Sequence, residues 1–325
     1  MNTPAPATTP GLVTLGESLG LLMAEDIGPL ALTRSMKLSF GGAESNVAIG
    51  VARFGFPATW IGRLGKDPVG DLVERHLLAE RVRCLVHRDD APTAIMLRER
   101  RTHAAANVSY YRHGSAASRL TPEDLPAGII EEAGVLHLTG ITPALGAGPA
   151  AAVREAMRRA RAAKVPISVD LNYRSKLWDR ATAAPVFREL ISAADMVFAG
   201  DDEARIALET EESRQASPEE LANALADLGP AEVIVKLGRH GATARIDEKT
   251  IHVPAVPVEA VDSVGAGDAF VAGYIASRLA GHEPQERLRI AALAGAFVVT
   301  APGDWEAFPR PHELSLITAE ENVQR

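Results

Sequence analysis

Much that would settle a class at a glance is missing from this sequence. A single cysteine, Cys84, among 325 residues rules out an internal disulfide and a cysteine-built zinc site. It sits in Val82-Arg83-Cys84-Leu85-Val86, which reads as a strand, so a buried structural thiol is expected rather than a nucleophile. No apolar run approaches the ~18 residues needed to span a bilayer. Residues 1–10 have neither the basic nor the apolar region of a secretory signal, so the expectation is a soluble, cytoplasmic protein. Basic tracts are absent too. Lys plus Arg is 34 against 42 for Asp plus Glu, a net charge of −8, which argues against nucleic acid as the main partner. An acidic surface still admits an anionic substrate, because a pocket sets its own local field.

Several catalytic signatures are lacking as well. Gly62-Arg63-Leu64-Gly65-Lys66-Asp67 has the wrong glycine spacing for a P-loop, and Asp where Ser or Thr must hold magnesium. No strand runs into G-x-G-x-x-G, and neither H-E-x-x-H nor G-x-S-x-G occurs. His137 lies inside an apolar strand and reads as a core residue.

What remains is an ordinary globular chain: 46% hydrophobic and 23% charged, near the average of about 45–50% and 25%. Its length suggests about two domains, or one large α/β domain with an appendage. Apolar strand-like runs (Leu12–Leu15, Ala58–Leu64, Val135–Leu138, Ile167–Asp170, Met196–Phe198, Glu232–Val235) alternate with helical stretches near Glu44–Phe54, Val69–Leu78, Ala150–Ala163, Pro185–Ser192, Asp202–Leu208 and Pro218–Leu228. Strands apolar on both faces, separated by helices, predict a parallel sheet covered on both sides. Leu19–Phe40 and Val82–Arg112 break the rhythm with strand-like runs and no helices, which predicts a small antiparallel sheet beside the main body, placed as a lid over a site. Helices resume at Gly267–Leu279 and Pro284–Thr300.

Four segments carry chemistry. Asp262-Ser263-Val264-Gly265-Ala266-Gly267-Asp268 precedes Val271, Ile275 and Leu279 at helical spacing. Two glycines that expose N–H groups at a helix N-terminus form an anion site. Asp268 falls in that first turn, where a carboxylate is expected to have a low pKa; the plain alternative is a carboxylate complementing the dipole. Gly41-Gly42-Ala43-Glu44-Ser45-Asn46 allows close approach to the backbone and offers an amide donor and acceptor; the alternative is a capped turn. Asp170-Leu171-Asn172-Tyr173-Arg174 follows a strand, where open parallel sheets bind ligands. Lys236-Leu237-Gly238-Arg239-His240-Gly241 is a phosphate loop or, more simply, a hairpin turn.

Together these segments resemble the ribokinase-like (PfkB) carbohydrate kinases. Gly41, Gly42, Asn46, Ala48, Gly55 and Gly65 match the family's first signature, and Asp262 to Ile275, with Gly265–Asp268 as GAGD, match the second. The resemblance covers about residues 11–310. Within the family the chain is most similar to 2-keto-3-deoxygluconate kinases, through Tyr110–Ser118, Leu138–Leu145, Asp170–Arg174 and Gly303–Ala307. It implies a doubly wound, mostly parallel α/β sheet flanked by helices, with a small β-sheet lid. The main domain would hold residues 11–18, 41–81 and 113–312, the lid 19–40 and 82–112, with tails at 1–10 and 313–325.

The implied activity is transfer of the ATP γ-phosphoryl to a primary hydroxyl of a sugar acid, with Mg2+ and room for a monovalent cation. Asp268 would accept the hydroxyl proton, and the N–H groups of Gly265, Ala266 and Gly267 would hold the growing charge. Gly42, Ala43, Glu44, Asn46, Tyr110, Tyr111, Arg112, Arg174 and Asp304 would hold the sugar acid, since arginine grips a carboxylate bidentately. Asn172, Arg174, Lys236, Gly238 and Gly241 would line the nucleotide path. Glu203 would face magnesium, although Gly200 replaces the Asn of the family's N-x-x-E motif. Exposed edges of the lid and the resemblance imply a homo-oligomer. Rival readings are a ribokinase or fructokinase of a neutral sugar, and a non-catalytic sugar-acid sensor.

Overall fold

The computed structural model describes residues 10–102 and 106–317; the expected tails at 1–9 and 318–325 lie outside them. In chain order the elements are β1 (Leu12–Leu15), β2 (Leu19–Ile27), β3 (Met36–Gly41), α1 (Ala43–Arg53), β4 (Ala58–Gly65), α2 (Pro68–Ala79), β5 (Val82–Asp89), β6 (Ile95–Arg100), β7 (Ala106–Tyr111), β8 (Val135–Thr139), α3 (Ile141–Ala144), α4 (Ala147–Ala162), β9 (Ile167–Asp170), α5 (Arg180–Ser192), β10 (Met196–Gly200), α6 (Asp201–Leu208), α7 (Glu211–Gln215), α8 (Pro218–Ala226), β11 (Glu232–Lys236), β12 (Ala242–Ile246), β13 (Lys249–Val253), α9 (Ala266–Leu279) and α10 (Pro284–Val298).

A nine-stranded sheet runs β13-β12-β11-β10-β9-β8-β1-β4-β5. It is parallel from β5 to β11 and ends in an antiparallel hairpin, β12–β13. One core lies on each face, the first around Leu136, Val169 and Phe187, the second around Trp60, Phe198 and Tyr274. Each large apolar side chain fully buried there contributes about 1.5–3 kcal/mol. The chain winds from β1 out to β5, then returns to β8 on the other side of β1. That reversal opens a crevice at the carboxyl ends of the central strands.

A second sheet runs β3-β2-β6-β7. Its outer pairings are antiparallel, as expected, but β2 and β6 pair parallel. The expected lid segment 82–112 is also divided. Val82–Asp89 pairs parallel with Ala58–Gly65 at the edge of the large sheet, because α2 is a crossover that returns the chain alongside β4. Only the later part of that segment enters the smaller sheet. Residues 313–317, expected as tail, complete a 3-10 helix, Pro311–Ile317.

Local chemistry sets the boundaries. Asp67 caps α2, accepting from Gly70 N at 2.8 Å with Pro68 at the first helical position. Asp179 caps α5 through Thr182 N at 2.8 Å, so that helix begins ahead of Pro185, where it was expected to start, and contains the proline. His137 is buried as expected; Nδ1 pairs with Ser168 Oγ at 3.0 Å, and burial pushes its pKa down to about 3. Cys84 is half-buried rather than buried, and desolvation raises its thiol to about 12, which leaves it unreactive.

Candidate active site

The crevice is a cavity of about 450 Å³. Its floor comes from the carboxyl ends of successive strands: Glu17 after β1, Ile141 after β8, Asp170, Asn172 and Arg174 after β9, Glu203 after β10, and Lys236 at the end of β11. The smaller sheet is the opposite wall. Period-two alternation turns Leu19 and Leu21, Met96 and Arg98, and Val108 and Tyr110 inward.

At one end sits a carboxylate pair. Asp268 lies in the first turn of α9, and Asp304 comes from the loop after α10. Asn46, on α1, gives one amide hydrogen to Asp268 Oδ2 and the other to Asp304 Oδ1, both at 2.8 Å. Its Oδ1 is buried and unpartnered. Burial raises Asp268 to about 6; Asp170 adds to the shift, while Asn46, Arg174 and Lys236 oppose it. The expected low pKa is therefore overturned, because desolvation outweighs the helix dipole. Burial, then the neighbouring Asp268, raise Asp304 to about 7.

The turn ahead of α9 is shaped by its glycines. Gly265 has φ +76°, and a β-carbon there would strike the Asp304 carbonyl; one on Gly41 would strike the Asp304 carboxylate. Gly265 and Gly267 line the cavity. Ala266, expected to share their anion role, does not, and its N–H turns to Ser263 O at 3.4 Å.

Of the expected sugar-acid residues, Gly42, Ala43, Glu44, Asn46, Tyr110, Arg112, Arg174, Asp268 and Asp304 meet at this cavity. Tyr111 does not: the alternation of β7 turns it outward, 65% exposed. Arg112 stacks on the Tyr110 ring, 4.0 Å to the centroid, and faces Glu17 at 3.5 Å. Glu44 is fully buried. Its Oε1 accepts from Thr139 Oγ1 at 2.7 Å and Thr142 Oγ1 at 2.6 Å, its Oε2 is unpartnered, and burial raises it to about 7.

At the far end Lys236 Nζ bonds Asp170 Oδ2 at 2.6 Å. Burial works against the Lys236 charge, but Asp170 and Glu203 outweigh it and raise the pKa. Asn172 lines the same end, held at φ +42°. Glu203 lines the cavity, yet both its oxygens already accept backbone N–H groups, from Tyr173 at 2.8 Å and Gly200 at 2.7 Å. Among the described residues no cluster of His, Cys, Asp or Glu suits a metal ion. Gly238 and Gly241 do not line this cavity; they form the turn between the antiparallel β11 and β12, the simpler of the two expectations for that segment.

Glu17, Arg98 and Asp262 were not among the expected site residues. Glu17 is buried with Oε1 unpartnered, and burial raises its pKa against the pull of Arg112. Arg98 grips Asp262 in a fork, both bonds at 2.7 Å. The signals in the sequence were the spacing of Arg98 with Met96 on one strand face and the place of Asp262 at the head of the glycine-turn segment.

A family model described as pfkB family carbohydrate kinase matches residues 12–310. A 2-dehydro-3-deoxygluconokinase of Bacillus subtilis (strain 168) is 34% identical, covering 96% of this chain and 97% of its own. A fructokinase of Klebsiella pneumoniae is 33% identical, covering 84% and 90%. The crystal structure of 2-dehydro-3-deoxygluconokinase from Thermotoga maritima superposes with a TM-score of 0.86 at 26% identity, covering 95% of this chain and 98% of that one. Fold, cavity and sequence agree over nearly the whole length: the chain belongs to the pfkB family of carbohydrate kinases.

Proposed function

We propose that this enzyme transfers the γ-phosphoryl of ATP to the primary hydroxyl of a sugar acid, 2-keto-3-deoxygluconate, giving the 6-phosphate. The observation that carries the reading is the shared cavity, in which Asp268 at a helix N-terminus looks across to Arg112 and Arg174. Asp268 accepts the hydroxyl proton. Its raised pKa, about 6, makes it a better base than an exposed aspartate while leaving it ionised at neutral pH. The N–H groups of Gly265 and Gly267 face the charge on the transferring group. Lys236 and Asn172 flank the phosphate end, where magnesium bound to ATP would supply charge neutralisation. The sugar hydroxyls reach the unpartnered oxygens of Asn46 and Glu44, and the carboxylate reaches Arg112 and Arg174.

The similarity to 2-dehydro-3-deoxygluconokinases supports the acid. Two observations favour a neutral sugar instead: Glu17 already offsets part of the Arg112 charge, and the fructokinase relative is 33% identical over 84% of this chain. The deciding measurement is kcat/KM on 2-keto-3-deoxygluconate beside fructose and ribose. We expect the acid to lead by at least tenfold, and a neutral sugar in front overturns the assignment. Arg112→Ala should weaken the acid by about 1.5–3 kcal/mol, the worth of a charged hydrogen bond, and leave a neutral sugar nearly unchanged.

Use of ATP as donor supports a cytoplasmic reaction. The smaller sheet, exposing Leu38 and Tyr111, suits pairing with a second copy, which sedimentation would read as a dimer or higher oligomer.

A further inference from the structure

Arg98 is the one cavity-lining guanidinium without a role in this scheme. It extends from β6, with its side chain 11% exposed, to Asp262, 10% exposed, at the start of the turn ahead of α9. Nη1 donates to Oδ2 and Nη2 to Oδ1, each at 2.7 Å. Asp262 also accepts from Val264 N at 3.2 Å, inside the turn that leads into α9. One carboxylate thus joins the smaller sheet to the glycine turn. Arg98 Nε is buried without a partner on a side chain that lines the cavity.

We propose that the Arg98–Asp262 fork is a closure clasp, which makes docking of the lid and completion of the catalytic turn a single event. A bidentate, charge-assisted pair is directional and strong, and removing one buried partner strands the other's charge. With the lid away, Asp262 has lost its cation, and the turn that positions Gly265 and Asp268 has lost its anchor. Bound reactants favour the clasp by giving the idle Nε–H an oxygen to bond, since an unmet buried donor is unfavourable. Arg98 is therefore a positioning residue that acts through Asp262.

The clasp leans on the sugar-acid kinase reading only for its assay. Wild-type turnover reports on that reading, and lid hydrogen exchange, which needs no turnover, reports on the clasp. Arg98→Met should lower kcat about 10- to 100-fold while the Kd of ATP moves less than threefold. Amides of β6 and β7 should exchange faster in the presence of sugar acid and a non-hydrolysable ATP analogue. Arg98→Lys, with charge but no fork, should stay within threefold of Arg98→Met. The double variant with Asp262→Asn should be no slower than the slower single one. Guanidinium ion should restore Arg98→Ala at least fivefold, and should not do so when Asp262→Asn is also present. Should Arg98→Met fail to fold, Arg98→Lys and Asp262→Asn carry the same measurements. Near wild-type kcat with unchanged lid exchange, additive losses, or rescue that survives Asp262→Asn would each overturn the clasp.

Discussion

At Asp268 two fields compete. The N-terminus of α9 favours the ionised carboxyl by about 0.3–1 kcal/mol. Burial opposes it and leaves the pKa near 6 against an ordinary 3.8, a net shift worth about 3 kcal/mol at most. The sign is that of a raised carboxyl: the folded state holds its proton more tightly, so ionisation at higher pH is unfavourable to folding. Asp268→Asn should therefore lower kcat about 10²–10⁴-fold and yet raise the stability of the unliganded protein at pH 8 by about 1–3 kcal/mol, a gain that fades below pH 4. Parallel activity assays and denaturant melts check both halves; a variant that is inactive and also less stable at pH 8 contradicts the account. The same pKa predicts an acid limb in kcat/KM near pH 6, absent if another group is the base. Asp268 and Asn46 could be read from the sequence because each lies in a short, spaced signature. Glu17 and Arg98 could not, and Asp262, though it opens the second signature, gave no sign of its pairing, because a charged residue acquires its meaning from a partner far away in the chain: 164 positions separate Arg98 from Asp262.

Elements were legible where the pattern was local. The six apolar runs and their helices appear close to where periodicity places them, since alternation of buried strand and amphipathic helix is written residue by residue. Partner choice is not so written. β5 reads like a strand of the smaller sheet because no helix follows it, yet its crossover helix precedes it. The β12–β13 hairpin was missed because β13 is mostly exposed and shows little apolar signal. Tyr110 and Tyr111 show the reverse: strand alternation alone would have sent them to opposite faces. At this scale the glycine turn is the sensitive part. Gly265→Ala meets both a positive φ and the Asp304 carbonyl, strain worth about 1–3 kcal/mol. We expect a lower melting temperature and at least a hundredfold loss of kcat, with α9 itself intact by circular dichroism.

Across the whole molecule, function and stability pull in different directions. Glu17, Glu44, Glu203, Asp268 and Asp304 all have pKa values raised by burial around one cavity. Their folded forms bind protons that the unfolded chain has released, so they make stability fall as pH rises from about 4 to about 7. The unliganded enzyme should melt lower at pH 8 than at pH 5.5, and Asp304→Asn should narrow that gap. Sugar acid with MgATP should raise the melting point at pH 8 in proportion to the logarithm of ligand concentration. The architecture itself was visible in advance because strand–helix alternation leaves few topologies open. The mixed pairing of the smaller sheet was not, since it joins strands from separate stretches of chain.

Asn46 spans 222 positions to Asp268 and 258 to Asp304, so the reacting centre is sewn from both ends of the polypeptide. During synthesis the acceptor pocket around Asn46 emerges long before the glycine turn and the segment that presses Asp304 against it. A nascent chain can thus fold most of its central sheet while remaining chemically silent, and phosphate transfer becomes available only as one of the last acts of its assembly.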